Sequence, residues 1–523
     1  MTLKASFTPP PESNLSPSKV GFLPPLVSIV GINRRLTIPP ALARSAPAFY
    51  CFRRPQATRL WDTRHAMNSL LQNLQDYADK AIETYQLPAI SIAIWQDGQL
   101  HRAASGCLNL NTGVEANADS IFQIGSITKV MTACLIMKLV EQGRVDLDTP
   151  VQHYLQDFML ADNEAARRIT VRQLINHSNG IAGDFFPDDL GHQGNLIARF
   201  VDRCSFLPVI HPIGEMFSYS NTGFGIAGRL VEVVSGLSWY QAIEQMIFQP
   251  LGMDHAIVDP AEAIRFRTAM GHVYQDGQCQ LAERTYLPFG MSPVGSVATM
   301  RPQDLITFAR AHLDGGLNAE GQRWLSPESI SAMQVPQVTY PPASLVSEKY
   351  AGLGWQITDH TASGTRFINH GGATSGSLAM LQMIPEQNAA FAILMNGFKA
   401  EALRETVLDI NEAVTGVNLR EPELKSAEIS TERLQAVVGD YECLDSLIKV
   451  RLGEDNTLSA HIRMNIDPVP PETVSLQPLN DNCFAMVNAK GKHSANLAFV
   501  DDKNSGRPRY LFNGSRLSER LPG

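Results

Sequence analysis

No stretch of this chain stays apolar for the roughly 18 to 20 residues that a bilayer-spanning helix needs. The strongest apolar segment, VGFLPPLVSIVGI at 20–32, is short and broken by two prolines. Its flanks lack both a compact basic start and a small-residue cleavage pattern. Neither a membrane span nor a secretory signal is expected, and the expected location is cytoplasmic. Basic patches are missing too. The net charge of −9 is spread along the sequence, which argues against a nucleic-acid surface and favours small molecules or short peptides as ligands. Cysteine is sparse: seven residues, at 51, 107, 134, 204, 279, 443 and 483, with no C-x-x-C pair and no histidine at metal-ligand spacing. They read as reduced structural thiols, without a disulfide framework or a metal site. No repeat of solenoid length is evident.

What is present is a long chain, 523 residues with 44% hydrophobic and 18% charged side chains, enough for a large core and roughly two to four domains. Residues 1–66 stand apart. The first 65 residues carry ten prolines and nine Lys or Arg but only two acids, Glu12 and Asp62, a composition that cannot pack. This leader reads as disordered, as a basic targeting segment, or as sequence upstream of the native start, with Met67 as candidate initiator. From Met67 a helical face follows through Leu70, Leu71, Leu74, Tyr77, Ala78 and Ala81. AISIAIWQDGQLHRAASG at 89–106 predicts two strands joined at Asp97-Gly98, a strong hairpin signal. Helices and loops dominate from 126 to about 330. Strand patterns return in GLGWQI (352–357), GSLAMLQMIP (376–385) and AAFAILMNG (389–397), before a helix around Glu401–Val414.

Strands at both ends with helices inserted between them predict an α+β fold, one antiparallel sheet flanked by helices with an all-helical subdomain. This core domain is expected over 67–418. A charged linker, 419–434, precedes short alternating strands in 435–523, expected to form a small all-β, barrel-like module.

The candidate chemistry starts at FQIGSITKVMTACLIM, where Ser126 and Lys129 stand three apart. S-x-x-K is a weak pattern by itself, with about two chance matches expected in a chain of this length. Two further copies occur here. Ser16-Lys19 lies in the Pro-rich leader, and Ser446-Lys449 enters a strand, where residues i and i+3 face opposite sides. Ser126 alone heads a helix, which places Lys129 one turn later on the same face. The apolar residues after Lys129 would desolvate its amine, depress its pKa and let it accept the serine proton. Tyr219-Ser220-Asn221 is the one Y-x-N among twelve tyrosines. A phenol beside a lysine can relay a proton, and the amide two residues on can hold a substrate carbonyl while contacting the lysine. His370-Gly371-Gly372 is expected to open a strand and let a substrate backbone approach the sheet edge. Just beyond, the Ala373 amide could join that of Ser126 as an oxyanion hole. A second H-x-G, His192-Gln193-Gly194, falls in a polar loop.

In order and spacing these motifs, with the flanks ITVRQLINHSNGI, IFQPLGM and GSVATMRPQDL, resemble the serine β-lactamase and penicillin-binding-protein superfamily, class C-like branch. The likeness covers about 85–400, and the tail resembles the small β-barrel that follows some members' catalytic domain. The resemblance implies Ser126 as acylated nucleophile, Lys129 as general base and Tyr219 as proton partner. Asn221 and the strand from His370 to Gly372 would hold substrate, with the Ser126 and Ala373 amides on the oxyanion. It implies no metal or cofactor. Where β-lactamases have Lys-Thr-Gly, this chain has His-Gly-Gly, and a histidine is a poorer fixed charge for a β-lactam carboxylate. H-x-G members resemble D-aminopeptidase-type amide hydrolases. The expected substrates are therefore small linear peptides, including those with D- or unusual residues such as linearised cyclic-peptide toxins. A carboxylesterase or acyl transferase, and a non-enzymatic filament-forming relative, are the alternatives.

Overall fold

The computed structural model describes residues 69–522 except 192–193, 423–424, 465–470 and 489–490. The leader, Met67, Cys51, the Ser16-Lys19 pair and His192-Gln193 lie outside the described residues. No helix among those described is long and apolar enough to cross a membrane.

Nine strands form one antiparallel sheet in the order Val114–Glu115, Gln99–Asn109, Ala89–Gln96, Ala389–Met395, Ser377–Ile384, Arg366–Thr374, Gln356–His360, Ser347–Ala351, Val338–Thr339. Strands from the two ends of the domain thus meet at its centre, as expected from the sequence. The hairpin turn is confirmed at Asp97 and Gly98, both at positive φ (53° and 75°), the signature of a two-residue type I′ turn. GLGWQI is only partly a strand. Its first four residues make a turn closed by Gly352 N–H donating to the Trp355 carbonyl at 2.8 Å, and the strand starts at Gln356.

Alternation in the two central strands explains how the sheet is covered. Ile90, Ile92 and Ile94, with Phe391, Ile393 and Met395, face one side and pack on the helices Leu74–Tyr85 and Ala400–Thr415. Ala89, Ala93, Ala390 and Ala392 face the other side and join the large core that includes the helices Pro302–Leu313 and Thr128–Glu141. Small residues on that face let helices approach closely. Each buried isoleucine contributes about 1.5–3 kcal/mol through loss of contact with water.

Eight further strands from Gly439–Glu442 to Leu517–Arg520 close into an antiparallel barrel, the first pairing with the last. Its interior is filled by buried side chains such as Tyr441, Ile448, Val450, Leu476, Phe484 and Phe499, so it is a packed core. Phe512 and Leu517 of the barrel share a buried cluster with Phe217 and Tyr219, which seats the barrel against the candidate site.

Candidate active site

Ser126 sits in a single 3-10 turn, Gly125–Ile127, that runs directly into the helix Thr128–Glu141. The chain enters through Gly125 at φ 52°, and a Cβ there would stand 2.6 Å from the Ala373 nitrogen. Glycine alone satisfies both conditions without strain. The helix that follows is buried on nearly every face, and Lys129 is 0% exposed. One helical turn brings its Nζ to 2.9 Å from Ser126 Oγ, and Nζ also donates to the Val294 carbonyl at 2.9 Å. Burial pushes the Lys129 pKa well below 10.5; Asp184 opposes the shift and Arg516 adds to it. The shift favours the uncharged amine, the form that can accept a proton.

The segment Ser218 to Asn221 approaches from the other side. Ser220 caps the helix Asn221–Ser235 by accepting from the Gly223 N–H at 3.0 Å, which fixes where Tyr219 leaves the chain. The Tyr219 hydroxyl is near enough to Ser126 for the serine to lower its pKa, and its ring centre lies 5.0 Å from Lys129 Nζ. Burial raises the phenol pKa above 10 despite the lowering effects of Ser126 and Arg516. The phenol therefore keeps its proton across the neutral range. Asn221 departs from expectation. Its amide Nδ2 donates to Asp184, a strong acceptor with a buried side chain, and not toward Lys129.

His370, Gly371, Gly372 and Ala373 lie in the interior of the strand Arg366–Thr374, not at its start. They nonetheless meet an edge. The neighbouring strand pairs only with residues 366–369, leaving the far end of this strand without a partner on that side. A two-residue turn pairs Thr374 with Ser377, so Gly371 and Ala373 direct their backbone N–H and C=O groups to the open side. Gly372 is pressed against the serine turn: a Cβ there would lie 1.9 Å from the Ile124 carbonyl oxygen and 3.1 Å from the Ser126 nitrogen. The close approach brings the Ser126 and Ala373 amides to one place. His370 itself is 1% exposed, with Nδ1 2.6 Å from the Gly371 carbonyl. Burial is the main cause that pushes its pKa down to about 3, so the ring is neutral and supplies no cation.

Four groups of this cluster were not recognised from the sequence. His177 stacks on the Tyr219 ring at 4.4 Å with 24° between planes. Asp184 pairs with Arg516, which comes from the barrel; Arg516 Nη2 donates at 3.0 Å, and the same guanidinium lies 3.2 Å from barrel Asp445 and 5.1 Å from the Tyr219 ring centre. The two acids share one arginine and separate in pKa. Burial tends to raise Asp184, but Arg516 overcomes it and holds it low, whereas burial keeps Asp445 raised against the same guanidinium, with Asp184 adding to the rise. His177 lies within the quoted ITVRQLINHSNGI; nothing in the sequence links Arg516 to a site some three hundred residues earlier. Among the described residues no group of three or more His, Cys, Asp or Glu gathers as a metal-holding cluster.

The beta-lactamase family profile matches residues 70–414. The chain belongs to the beta-lactamase family. Family members are serine hydrolases, and this chain is 35% identical over 375 residues to penicillin-binding protein 4 of Amycolatopsis lactamdurans, covering 70% of this chain and 96% of that one. The fold is shared with SurE (TM-score 0.69, 24% identity, 86% of this chain and 99% of that one), also solved with D-Leu. It is shared too with the D-amino acid amidase of Ochrobactrum anthropi, solved with L-phenylalanine (TM-score 0.54, 22% identity, 66% and 98%).

Proposed function

We propose that this family member hydrolyses amide bonds of small linear peptides, those with D- or unusual residues included, through an acyl-enzyme on Ser126. The observation that carries the reading is the 2.9 Å approach of Ser126 Oγ to the fully buried amine of Lys129, whose pKa burial lowers. The amine takes the Oγ proton as Oγ bonds to the substrate carbonyl carbon. Negative charge developing on the carbonyl oxygen is met by the Ser126 and Ala373 N–H groups. The C–N bond then breaks, with the leaving amine taking a proton from the Tyr219 hydroxyl, which is regained from Lys129. Water, deprotonated by the same groups, attacks the ester and regenerates Ser126.

Three observations support peptides as the acyl source. The free edge at Gly371 and Ala373 offers backbone groups in the spacing an extended peptide uses. Neutral His370 leaves the third motif without the fixed charge suited to a β-lactam carboxylate. The fold relatives include a D-amino acid amidase and a protein solved with D-Leu.

The test is a mass-spectrometric digest of a short-peptide library containing L- and D-residues, run with wild type and Ser126→Ala. Cleavage that disappears in the variant is expected. Cleavage retained by Ser126→Ala overturns the nucleophile. Turnover of esters with no peptide cleaved at any enzyme concentration overturns the amide substrate and leaves an esterase.

A further inference from the structure

We propose that His177 is a positioning residue that fixes the phenol of Tyr219 for proton transfer, a role that rests on the reading of Tyr219 as proton partner. His177 accepts through its own carbonyl from Ser218 N–H at 3.0 Å and through ring Nδ1 from Ser220 N–H at 2.9 Å. One residue thus holds the amides on both sides of Tyr219. The amide between them, that of Tyr219, donates to the Ser515 carbonyl of the barrel at 2.9 Å. Three consecutive amides are pinned, and the imidazole then lies over the phenol at 4.4 Å, nearly parallel.

A buried aromatic in a core would do the stacking alone. Phe217 and Phe224 already flank the ring at 5.6 and 5.0 Å, so a third phenylalanine would fit the surroundings but leave the Ser220 N–H without an acceptor. The imidazole is needed for Nδ1. To accept there it must be neutral with its proton on Nε2; burial first, and then the neighbouring Arg516 guanidinium, disfavour a charged ring. His177 also sits at φ 62°, a conformation Asn tolerates better than most residues, and Asn places Oδ1 close to where Nδ1 stood.

The test compares His177→Phe, His177→Asn and Tyr219→Phe on two probes, D-alanine p-nitroanilide and p-nitrophenyl acetate. An anilide needs its leaving nitrogen protonated, whereas nitrophenolate leaves unaided, so damage to proton delivery lowers the first rate more than the second. His177→Phe is expected to lower kcat on the anilide about 100-fold and on the ester less than about 10-fold, with KM within about threefold; the pattern should match Tyr219→Phe. His177→Asn should restore most of the anilide rate. Equal losses on both probes, or equal losses in the Phe and Asn variants, overturn the positioning role while leaving Tyr219 in place. Full anilide activity in Tyr219→Phe overturns the reading beneath it. Should His177→Phe not fold, His177→Gln replaces it, since its longer side chain does not return an oxygen to the Nδ1 position; equal rates for Gln and Asn then overturn the proposal.

Discussion

Ser126 and Lys129 lie three apart at the head of a helix, and their functional atoms approach to 2.9 Å. Ser446 and Lys449 lie three apart in the barrel strand Ser446–Leu452, where alternation sends them to opposite faces. Ser446 is buried and bonded to Asp445 at 3.1 Å, while Lys449 leans toward Asp440 at 3.8 Å on the outside. The same four-residue pattern gives a candidate catalytic pair in one region and two unrelated side chains in the other. What separates them is the period of the backbone and the burial of the amine. A helix repeats about every 3.6 residues and a strand every two, so only the first can bring i and i+3 together.

The strongest way to break this contrast is to remove the helical pair. Ser126→Ala and Lys129→Ala should each lower kcat/KM at least about 1,000-fold, and Lys129→Arg should do the same because a guanidinium stays protonated and cannot act as base. Steady-state rates on the best library peptide check all three. The sign of the pH dependence follows from the burial of the amine. Lys129 has a depressed pKa, so its uncharged form persists to a lower pH than that of an ordinary lysine, and the rate falls as acid protonates it. Tyr219 has a raised pKa, so its proton is retained beyond its ordinary value of 10. A profile with its acid limb well below 10.5, and no alkaline limb at the ordinary phenol value, is expected. An acid limb at the ordinary lysine value would show that burial does not tune the amine.

The second-largest effect is expected where the barrel meets the site. Arg516→Met leaves Asp184 and Asp445 buried without their shared cation and should cost about 3–5 kcal/mol of stability, read from denaturant midpoints. Asp445→Asn in the same background removes one of the two orphaned charges and should restore part of the loss. If Arg516→Met unfolds at the wild-type midpoint, the barrel contact is not an energetic link.

Much of the fold was legible because its elements obey local rules. The Ile/Ala alternation of Ala89–Gln96, the Asp97-Gly98 turn and the all-apolar run Ala389–Met395 each announce their geometry within a few residues. The motif residues were legible for the same reason: a helix head, a helix cap and a glycine pair carry their own signals. GLGWQI was misjudged because an apolar run with two glycines suits a tight turn as well as a strand. Arg516 and Asp445 were invisible because their meaning arises only when the barrel docks, a contact between segments far apart in the chain. Asn221 was found, but its partner was not, since Asp184 looks from sequence like any loop acid.

A third variant sharpens the role of the strand edge. Gly372→Ala places a Cβ within 1.9 Å of the Ile124 carbonyl, a rigid backbone atom, so strand and serine turn must separate. Misplacing one oxyanion donor should lower kcat about 100-fold or more, with a stability loss of about 1–3 kcal/mol from overpacking. Wild-type kcat in a folded Gly372→Ala would remove the Ala373 amide from the oxyanion site.

The smallest expected effect is the control that completes the comparison. Ser446→Ala removes a buried hydroxyl bonded to Asp445 and close to Cys443, at 3.1 and 3.2 Å. The loss should be about 1 kcal/mol of stability, while kcat/KM stays within about twofold, because the hydroxyl reaches the site only through Asp445 and Arg516. Lys449→Ala, at a half-exposed ion pair, should change stability by less than about 1 kcal/mol and leave the rate unaltered. A large fall in rate from Ser446→Ala at unchanged stability would mean that the barrel transmits more to Tyr219 than the ion trio alone, and that the second S-x-x-K serine matters after all, through position rather than chemistry.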